Sequence, residues 1–195
     1  MSVETAQTSE RILDAAERCM ARYGLRRVSM ADVAAEAGVS RGSVYRYFAD
    51  RDALVDAVLE RTADRFVAAS EPDLGRAADL AGQVAAALLF IVRQVDGGSF
   101  GLRLPGETDS LLATLLTARR EVLFARWVAF WEPRLANAER RGEVRAGLDR
   151  AQAGELVVRL LLSFAVLPTV VSFDVADRVA VTQFVRDHLL RGLAR

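Results

Sequence analysis

The chain has 195 residues, of which 52% are hydrophobic and 27% are charged, and its 26 basic residues balance its 26 acidic ones. This composition is typical of a folded protein with ample core material, and it excludes an intrinsically disordered chain. The single cysteine excludes an intramolecular disulfide. The net charge of zero argues against general attraction to polyanions, so any affinity for nucleic acid must come from local placement of arginines and helix amino termini.

Neither the first residues nor the longest apolar stretch of the chain indicates a membrane segment. The first ten residues lack the basic and then apolar layout of a signal peptide. The longest apolar stretch, 160–173, is interrupted by Ser163, Pro168, Thr169 and Ser172 and is shorter than the about 20 residues that a spanning helix needs. We therefore expect a cytoplasmic protein with no membrane partner.

The first predicted helix begins at Ser9, which can serve as its N-cap, and ends at Tyr23 before Gly24. Apolar residues recur on one face of this segment at helical spacing. Residues 1–8 are predicted to form a flexible amino terminus. We expect the helix to brace the motif that follows it.

A pair of short helices is predicted next. Ser29 can cap the first of them, and Asp32 stands where a capping box needs its acidic partner. Gly38 stands where the helix must end in a residue that adopts positive φ. Ser40 can then cap a second short helix over residues 40–48. The pattern is typical of a helix-turn-helix.

The second short helix has a small, polar outer surface. Val44 and Phe48 lie four residues apart and form its inward face. The other positions offer guanidinium groups, which suit guanine edges, and serine and tyrosine hydroxyls, which suit phosphate oxygens. A glycine among them lets the backbone approach DNA closely. We predict that this helix binds double-stranded DNA. The predicted contacts on it are Ser40, Arg41, Gly42, Ser43, Tyr45, Arg46 and Tyr47.

The run from Arg11 to Leu59 carries a dense set of recurring residues. They are Ile12-Leu13-x-Ala15-Ala16, Tyr23-Gly24, Ser29-Met30-x-Asp32-Val33-Ala34, Ala37-Gly38-Val39-Ser40, Gly42-Ser43-Val44-Tyr45-x-Tyr47-Phe48 and Asp52-x-Leu54. This run resembles the amino-terminal domain of the TetR family of transcriptional regulators. The resemblance implies a three-helix DNA-binding domain, an all-helical domain behind it that binds a ligand and dimerises, and repression relieved by a small molecule.

Two positions depart mildly from the family pattern. The family usually has threonine where Ser29 stands and often lysine where Arg51 stands. The replacements keep the hydroxyl cap and the positive charge respectively, so the resemblance implies phosphate contacts for both residues, although arginine and lysine contact oxygen with different geometry. We therefore expect that Arg51→Ala weakens binding to all DNA sequences alike and flattens its salt dependence.

The rest of the chain is also predicted to be helical, which makes the fold all-α with about nine helices. Asp50 can cap a fourth helix that runs to about Ala69 and is ended by Pro72. Further helices are predicted at 73–95, at 107–141 with a kink or boundary at Pro133, at 149–167 and at 175–192. The predicted organisation is a flexible amino terminus at 1–8, a DNA-binding domain at 9–49, a linking helix at 50–72 and an effector-binding and dimerisation domain at 73–195.

The last two helices predict a homodimer. Segment 149–167 is apolar nearly all round apart from Arg159, so it must be covered on two sides. Packing it and segment 175–192 against their symmetry mates as a four-helix bundle provides that cover, and a core within one chain is the alternative. The resemblance implies the same pair of helices. The interface candidates are Val157, Leu160, Leu161, Phe164, Phe184, Val185 and His188.

Aromatic residues on the helices of the carboxy-terminal domain predict a site for a small hydrophobic effector, aromatic or acyl in character. A mostly apolar pocket with one or two polar anchors is what such a site requires, although each residue taken alone also fits a simple core role. The pocket candidates are Phe90, Arg93, Phe100, Leu104, Phe124, Trp127, Trp131 and Phe164.

The chain lacks the residue combinations that most enzymes use for catalysis. His188 and Cys19 are the single histidine and cysteine, both on apolar helix faces, so there is no metal-ligand spacing and no acid–base pair of histidines. Chemistry that uses carboxylates alone stays open from the sequence. We predict that the protein is not an enzyme and has no metal and no cofactor. A module that binds protein through helix 40–48 is disfavoured because that helix lacks large apolar anchors.

The predicted function is a repressor that leaves a palindromic operator when an effector shifts helix 50–69 and moves the two recognition helices apart. A ligand-dependent activator and a regulator without an effector remain alternatives.

Overall fold

The computed structural model describes residues 3–25, 27–97, 120–167 and 170–194, which contain helices and no strands. The predicted all-α class is confirmed. The described helices are α1 (Val3–Tyr23), α2 (Met30–Ala37), α3 (Arg41–Tyr47), α4 (Arg51–Gly75), α5 (Leu80–Asp96), α6 (Arg120–Arg140), α7 (Arg150–Val166) and α8, which begins as Arg178–Val185 and continues through a π-helical turn at Arg186–Leu190 to Arg191–Leu193. The part of the predicted helix at 107–119 lies outside the described residues.

The helix starts are set by side-chain caps. The Ser29 hydroxyl accepts a hydrogen bond from the Asp32 amide at 3.2 Å, and the Asp32 carboxylate accepts one from the Ser29 amide at 3.2 Å, so the predicted capping box is confirmed. The Asp50 carboxylate caps α4 by accepting from the Ala53 amide at 2.7 Å. Asp79 and Asp149 cap α5 and α7 in the same way. These bonds satisfy amides that have no partner within the helix.

The amino-terminal boundary differs from the prediction. Helix α1 begins at Val3 and not at Ser9, so residues 3–8 of the segment predicted to be flexible are helical. Residues 3–8 contain neither glycine nor proline, and Ala6 and Gln7 favour helix, so nothing in them stops the helix from extending upstream of Ser9.

Two prolines that were predicted to end or bend helices lie inside them. Helix α4 continues past Pro72 to Gly75, and α5 therefore begins at Leu80 and not at residue 73. Helix α6 runs through Pro133 without a boundary. The reason is packing: Leu74 is 1% exposed beyond the first proline, and Trp131 and Leu135 are buried on either side of the second. Burial of these side chains outweighs the lost backbone hydrogen bond.

The buried residues form two main cores that share α4. The amino-terminal core runs from Ile12 to Val58 and takes Leu54 and Val58 from the first turns of α4. The larger core of α5 to α8 takes Leu74 from the last turn of α4. A small cluster between them joins Val55, Leu59 and Ala63 of α4 to Leu123 of α6. Helix α4 therefore contributes to both cores and joins them.

Candidate nucleic-acid interface

The turn between α2 and α3 holds the two helices in a helix-turn-helix arrangement. Gly38 ends α2 with φ +65° and ψ +36°, a left-handed conformation in which a side chain is strained. Its amide donates to the carbonyls of α2, and the amide of Val39 donates to the Ala34 carbonyl at 3.0 Å. The chain then reverses within two residues, and Ser40 caps α3 through the Ser43 amide at 3.0 Å.

Helix α3 is anchored by its inward side and open on its outward side. Val44 is fully buried and Phe48, its C-cap residue, is 8% exposed. Arg41, Gly42, Tyr45 and Arg46 are exposed, whereas Ser43 and Tyr47 are half-buried. The predicted contact residues of α3 therefore lie on the helix surface that solvent, and hence DNA, can reach.

Each arginine of α3 lies against a tyrosine ring. The Arg41 Nη2 donates to the Tyr45 hydroxyl at 3.3 Å, and its guanidinium lies 5.5 Å from the Tyr45 ring centre. The hydrogen bond raises the pKa of Arg41 above its ordinary value. The Arg46 guanidinium lies 5.5 Å from the Tyr47 ring centre. These cation–π contacts restrict the arginine rotamers before DNA arrives.

Two predicted hydroxyl contacts are engaged within the protein. The Ser29 hydroxyl donates its one proton to the Asp32 carboxylate at 2.6 Å, so in this geometry it cannot also donate to a phosphate. The Ser40 hydroxyl accepts from the Ser43 amide and lies 2.9 Å from the Ser43 hydroxyl. At the start of α2, the donors suited to phosphate are instead the backbone amides of Met30 and Ala31, which the capping box does not engage.

Arg51 makes contacts within the protein that were not predicted. Its Nε donates to the Val28 carbonyl at 2.9 Å and its Nη2 donates to the Leu25 carbonyl at 2.5 Å. The remaining Nη1 pairs with Asp52 at 3.1 Å. The side chain ties α4 to the loop between α1 and α2, and a phosphate at Nη1 competes with Asp52, so the phosphate contact stays a prediction. These acceptors could not be found from the sequence, because they are backbone carbonyls 23 and 26 residues away.

We expect Arg51→Ala to lower the free energy of unfolding by about 1–2 kcal/mol, because two loop carbonyls lose a charged donor and only water replaces it. The slope of DNA affinity against salt is expected to stay as in the unchanged protein. Thermal unfolding and titration of one duplex at several salt concentrations measure both quantities. Arg22→Ala, which alters a more exposed arginine, is the control and should change stability by less than about 0.5 kcal/mol. A smaller salt slope for Arg51→Ala than for the unchanged protein would show that Arg51 contacts a phosphate.

An ion pair that was not predicted connects α1 to α2. The Arg18 Nε donates to the Glu36 carboxylate at 2.7 Å, and Arg22 lies 3.8 Å from the same carboxylate. The hydrogen bond from Arg18 lowers the pKa of Glu36. The signal available in the sequence was the spacing of four between Arg18 and Arg22, which places both on one helix face.

Comparison with known proteins identifies the amino-terminal domain. Residues 12–58 match the model of the tetR family of bacterial regulatory proteins. Over this segment the chain resembles the TetR family. The matched residues are also those of the amino-terminal core, whose buried members run from Ile12 to Val58.

Curated relatives share a limited region with this chain. An uncharacterized HTH-type transcriptional regulator of Haemophilus influenzae is 40% identical over 65 residues, which are 33% of this chain and 35% of that protein. The HTH-type transcriptional regulator TtgR of Pseudomonas putida is 38% identical over 73 residues, which are 36% of this chain and 35% of TtgR. The chain thus spans about a third of the length of these relatives.

Solved structures are similar to the whole chain in fold. A TetR-family transcriptional regulator from Pectobacterium atrosepticum has a TM-score of 0.68 with 21% identity, over 100% of this chain and 97% of that one. The repressor AlkX from a Dietzia strain has a TM-score of 0.65 with 20% identity, over 95% and 98% of the two chains. FadR from Bacillus subtilis, solved in complex with stearoyl-CoA, has a TM-score of 0.63 with 18% identity, over 91% and 97%.

The predicted effector residues lie in several places in the TetR-family fold. Trp131 and Phe164 belong to the large core, and Phe124 and Trp127 pack against it half-buried. Phe90 is 5% exposed and packs edge-on against Phe66 with ring centres 5.0 Å apart. Phe100 and Leu104 lie outside the described residues.

Arg93 lies apart from these aromatic residues. It lines an open cleft of about 310 Å³ between the end of α4, α5 and the segment before α8. There its Nη2 donates to the Asp73 carboxylate at 2.5 Å, so its charge is already paired. The other lining residues are Ala86, Leu89, Ala176 and Arg178.

The predicted dimer residues need correction. Val157, Leu161, Phe164 and Val185 are between 0% and 9% exposed within one chain, because they face α5 and the large core. A second copy cannot contact much of their surface, so these four are core residues. Leu160 and Phe184 are half-buried and His188 is exposed, so these three remain available.

An apolar stripe that was not predicted runs along the outer side of α7. Leu156 is 46% exposed and Leu167, the C-cap residue, is 66% exposed. With Leu160 and Ser163 they recur at i, i+4, i+7 and i+11, which places them on one helix face. That spacing was the signal in the sequence for separating the outer face from the core face.

Two other kinds of site have no support among the described residues. Over the four described ranges, no helix is long and apolar enough to cross a membrane. Within the same ranges, no three histidine, cysteine or acidic side chains gather where they could hold a metal ion.

Proposed function

We propose that this protein is a sequence-specific, double-stranded-DNA-binding transcriptional regulator, and that it represses by occupying a palindromic operator as a homodimer. The observation that carries this proposal is the capped helix-turn-helix within the matched family segment, with α3 anchored by Val44 and exposing Arg41, Tyr45 and Arg46. Proteins similar to it over this region are named as HTH-type transcriptional regulators, and one is named as a repressor.

The proposed division of roles on DNA follows from the exposed groups. Arg41 and Arg46 carry guanidinium groups that can pair with guanine O6 and N7 as a bidentate contact. The hydroxyls of Tyr45 and Tyr47 suit phosphate oxygens on the groove walls, and Gly42 lets the backbone approach. The amino terminus of α2 adds backbone amides that suit a phosphate.

A homodimer is proposed because a single helix of seven residues reads only a short site. Two copies related by a two-fold axis present two recognition helices to half-sites about 34 Å apart or a multiple of that distance. The exposed stripe of Leu156, Leu160 and Leu167 on α7, with Phe184 and His188 on α8, is the proposed contact surface. This surface lies on the same two helices as the predicted interface. It leaves out the buried residues Val157, Leu161, Phe164 and Val185.

The proposed effector is a small hydrophobic molecule that enters the carboxy-terminal half. Support comes from the aromatic residues gathered there: Trp131 and Phe164 in the core, and Phe124 and Trp127 half-buried against it. FadR of Bacillus subtilis, which shares the fold, was solved with stearoyl-CoA. Long-chain acyl compounds are therefore the first class to screen, with binding measured as a rise in unfolding temperature.

Release from the operator is proposed to run through α4, which contributes to both cores. An effector can shift the equilibrium only by binding the released state more tightly than the DNA-bound state, and operator DNA must weaken effector binding by the same factor. A shift of α4 moves Leu54 and Val58, and with them the core that carries α3.

Selection of bound sequences from random duplex DNA by the purified protein tests this function, followed by titration of the best site at two salt concentrations. A palindromic consensus with a steep fall of affinity at high salt is the expected result. The absence of any enriched sequence would contradict a sequence-specific regulator. Binding that is steep in salt but equal for all sequences would reduce the function to nonspecific DNA binding.

A further inference from the structure

Outside the DNA-reading surface, α1 and α4 face each other with opposite charges. Glu10, Asp14 and Glu17 recur on α1 at i, i+4 and i+7, which places them on one face. Arg61 and Arg65 recur on α4 at i and i+4 and lie opposite this face. The five side chains form a cluster, which we call the α1–α4 charge cluster.

Arg61 is the centre of the α1–α4 charge cluster. Its Nη1 lies 2.8 Å from the Glu10 carboxylate and 2.9 Å from the Asp14 carboxylate, and its Nη2 lies 2.9 Å from the Glu17 carboxylate. Its side chain is only 14% exposed. Arg65 contacts Glu17 alone and is 49% exposed. One guanidinium thus serves three carboxylates that would otherwise repel one another.

The electrostatic balance at Arg61 favours its charged form. Burial alone lowers the pKa of the guanidinium, but the hydrogen bonds to Glu10 and Glu17 more than offset burial, and the pKa lies above its ordinary value. Arg61 therefore stays charged at any pH at which the protein folds.

The α1–α4 charge cluster adds to apolar contact between these helices. The last α4 residue in the amino-terminal core is Val58, one turn before Arg61. Beyond it, Leu59 and Ala63 pack with Leu123 of α6, and Met20 of α1 packs against the same cluster. The ion pairs of Arg61 therefore tie α1 to α4 beside this apolar contact.

A neighbouring side of α4, about a quarter turn around the helix, is tied to the other half by charges of reversed sign. Asp64 pairs with Arg126 of α6, and Glu71 accepts two hydrogen bonds from Arg134 of α6 at 2.7 Å each. Helix α4 therefore uses basic residues toward α1 and acidic residues toward α6. A rotation of α4 about its axis strains both sets together.

We propose that Arg61 is a positioning residue that fixes the orientation of the DNA-binding domain on α4, and thereby the spacing of the two recognition helices in the dimer. The inference rests on the proposed function as a dimeric operator-binding protein. Without Arg61, three carboxylates on one face of α1 are left with Arg65 as their one partner within the cluster, and like-charge repulsion loosens α1 from α4. Because α1, α2, α3 and the first turns of α4 share one core, they move together against the later turns of α4.

The test compares Arg61→Met with the unchanged protein on a set of duplexes. The set carries the selected half-site at its natural spacing and at spacings changed by one and two base pairs. We expect affinity for the natural spacing to fall by about tenfold and the preference for it over the altered spacings to shrink. The half-site consensus itself is expected to stay unchanged, because Arg61 does not touch α3. A residue that only stabilised the fold would leave the spacing preference intact in the folded fraction.

Two further variants keep the test decisive. Arg61→Lys retains the charge without the planar fork and serves if Arg61→Met does not fold; it should show a smaller loss of spacing preference. Arg150→Met removes an arginine that pairs with Glu139 at 3.0 Å at the far end of α6 and should leave spacing preference unchanged. All titrations are made well below the unfolding temperature of each variant.

The outcomes separate the two proposals. An unchanged protein that selects an operator, with an Arg61→Met variant that keeps full spacing preference, overturns the positioning role alone. A changed half-site consensus in Arg61→Met also overturns it, because it would mean a direct effect on α3. An unchanged protein that selects no operator overturns the proposed function and the positioning role together.

Discussion

The double replacement Leu156→Glu and Leu167→Glu is expected to convert the dimer to a monomer and to lower operator affinity by about 100-fold or more. Both side chains are exposed in one chain, 46% and 66%, so the fold of the protomer should survive. Carboxylates placed on the α7 stripe must be desolvated in an interface, at a cost that a dimer contact does not offset. Loss of the second half-site removes the gain from simultaneous binding.

Sedimentation velocity of the double variant, with titration of the selected operator, measures both effects. Val171→Glu is the matched control, because Val171 is 98% exposed and lies outside the stripe. The control should sediment and bind as the unchanged protein does. A double variant that stays dimeric would place the interface elsewhere.

The replacement Trp131→Ala is expected to lower the free energy of unfolding by about 3–5 kcal/mol and the unfolding temperature by roughly 10 °C. Trp131 is 2% exposed, packs edge-on against Phe130 with ring centres 5.7 Å apart, and belongs to the large core. Its loss leaves a cavity that the surrounding helices cannot fill.

Thermal and denaturant unfolding check this prediction, with Trp127→Ala as the control. Trp127 is half-buried, so the same chemical change should cost clearly less stability. Equal losses for the two variants would mean that Trp131 is not a core residue. If Trp131→Ala were as stable as the unchanged protein, Trp131 would instead line an open pocket, as a ligand-contacting residue can.

The helix-turn-helix was predictable from the sequence because its determinants are local. Ser29, Asp32 and Gly38 act on backbone groups within four residues of themselves, so their chemistry can be identified in the sequence and is found in the structure. The same holds for Ser40 and Asp50, whose side chains cap α3 and α4. Short-range rules were sufficient here.

Long-range contacts decided the points at which the predictions were wrong. Pro72 predicts a helix end by local rules, but Leu74 is buried in a core that distant helices complete. The contacts of Arg51 with carbonyls of the preceding loop were likewise not predicted, while its phosphate contact stays a prediction. Val157 is apolar like Leu156, and only the packing of α5 shows which of them faces inward.

The charged contacts of α4 follow the same division. The spacing of Arg61 and Arg65 was visible in the sequence, and so was that of Glu10, Asp14 and Glu17. Nothing in either stripe indicates that the two lie opposite each other, because 44 residues separate Arg61 from Glu17. A central arginine with three acidic partners therefore emerged only from the folded chain.

Selection of bound sequences from random duplexes with the Arg46→Ala variant tests most directly whether α3 reads the DNA sequence. Arg46 is exposed on α3 and its pairing is limited to the face of Tyr47, so its removal should leave the fold intact. We predict a consensus that keeps its half-site spacing but loses preference at one or two symmetric positions, with affinity for the original site reduced by about 1–3 kcal/mol. A consensus identical to that of the unchanged protein for both Arg46→Ala and Arg41→Ala would contradict the claim.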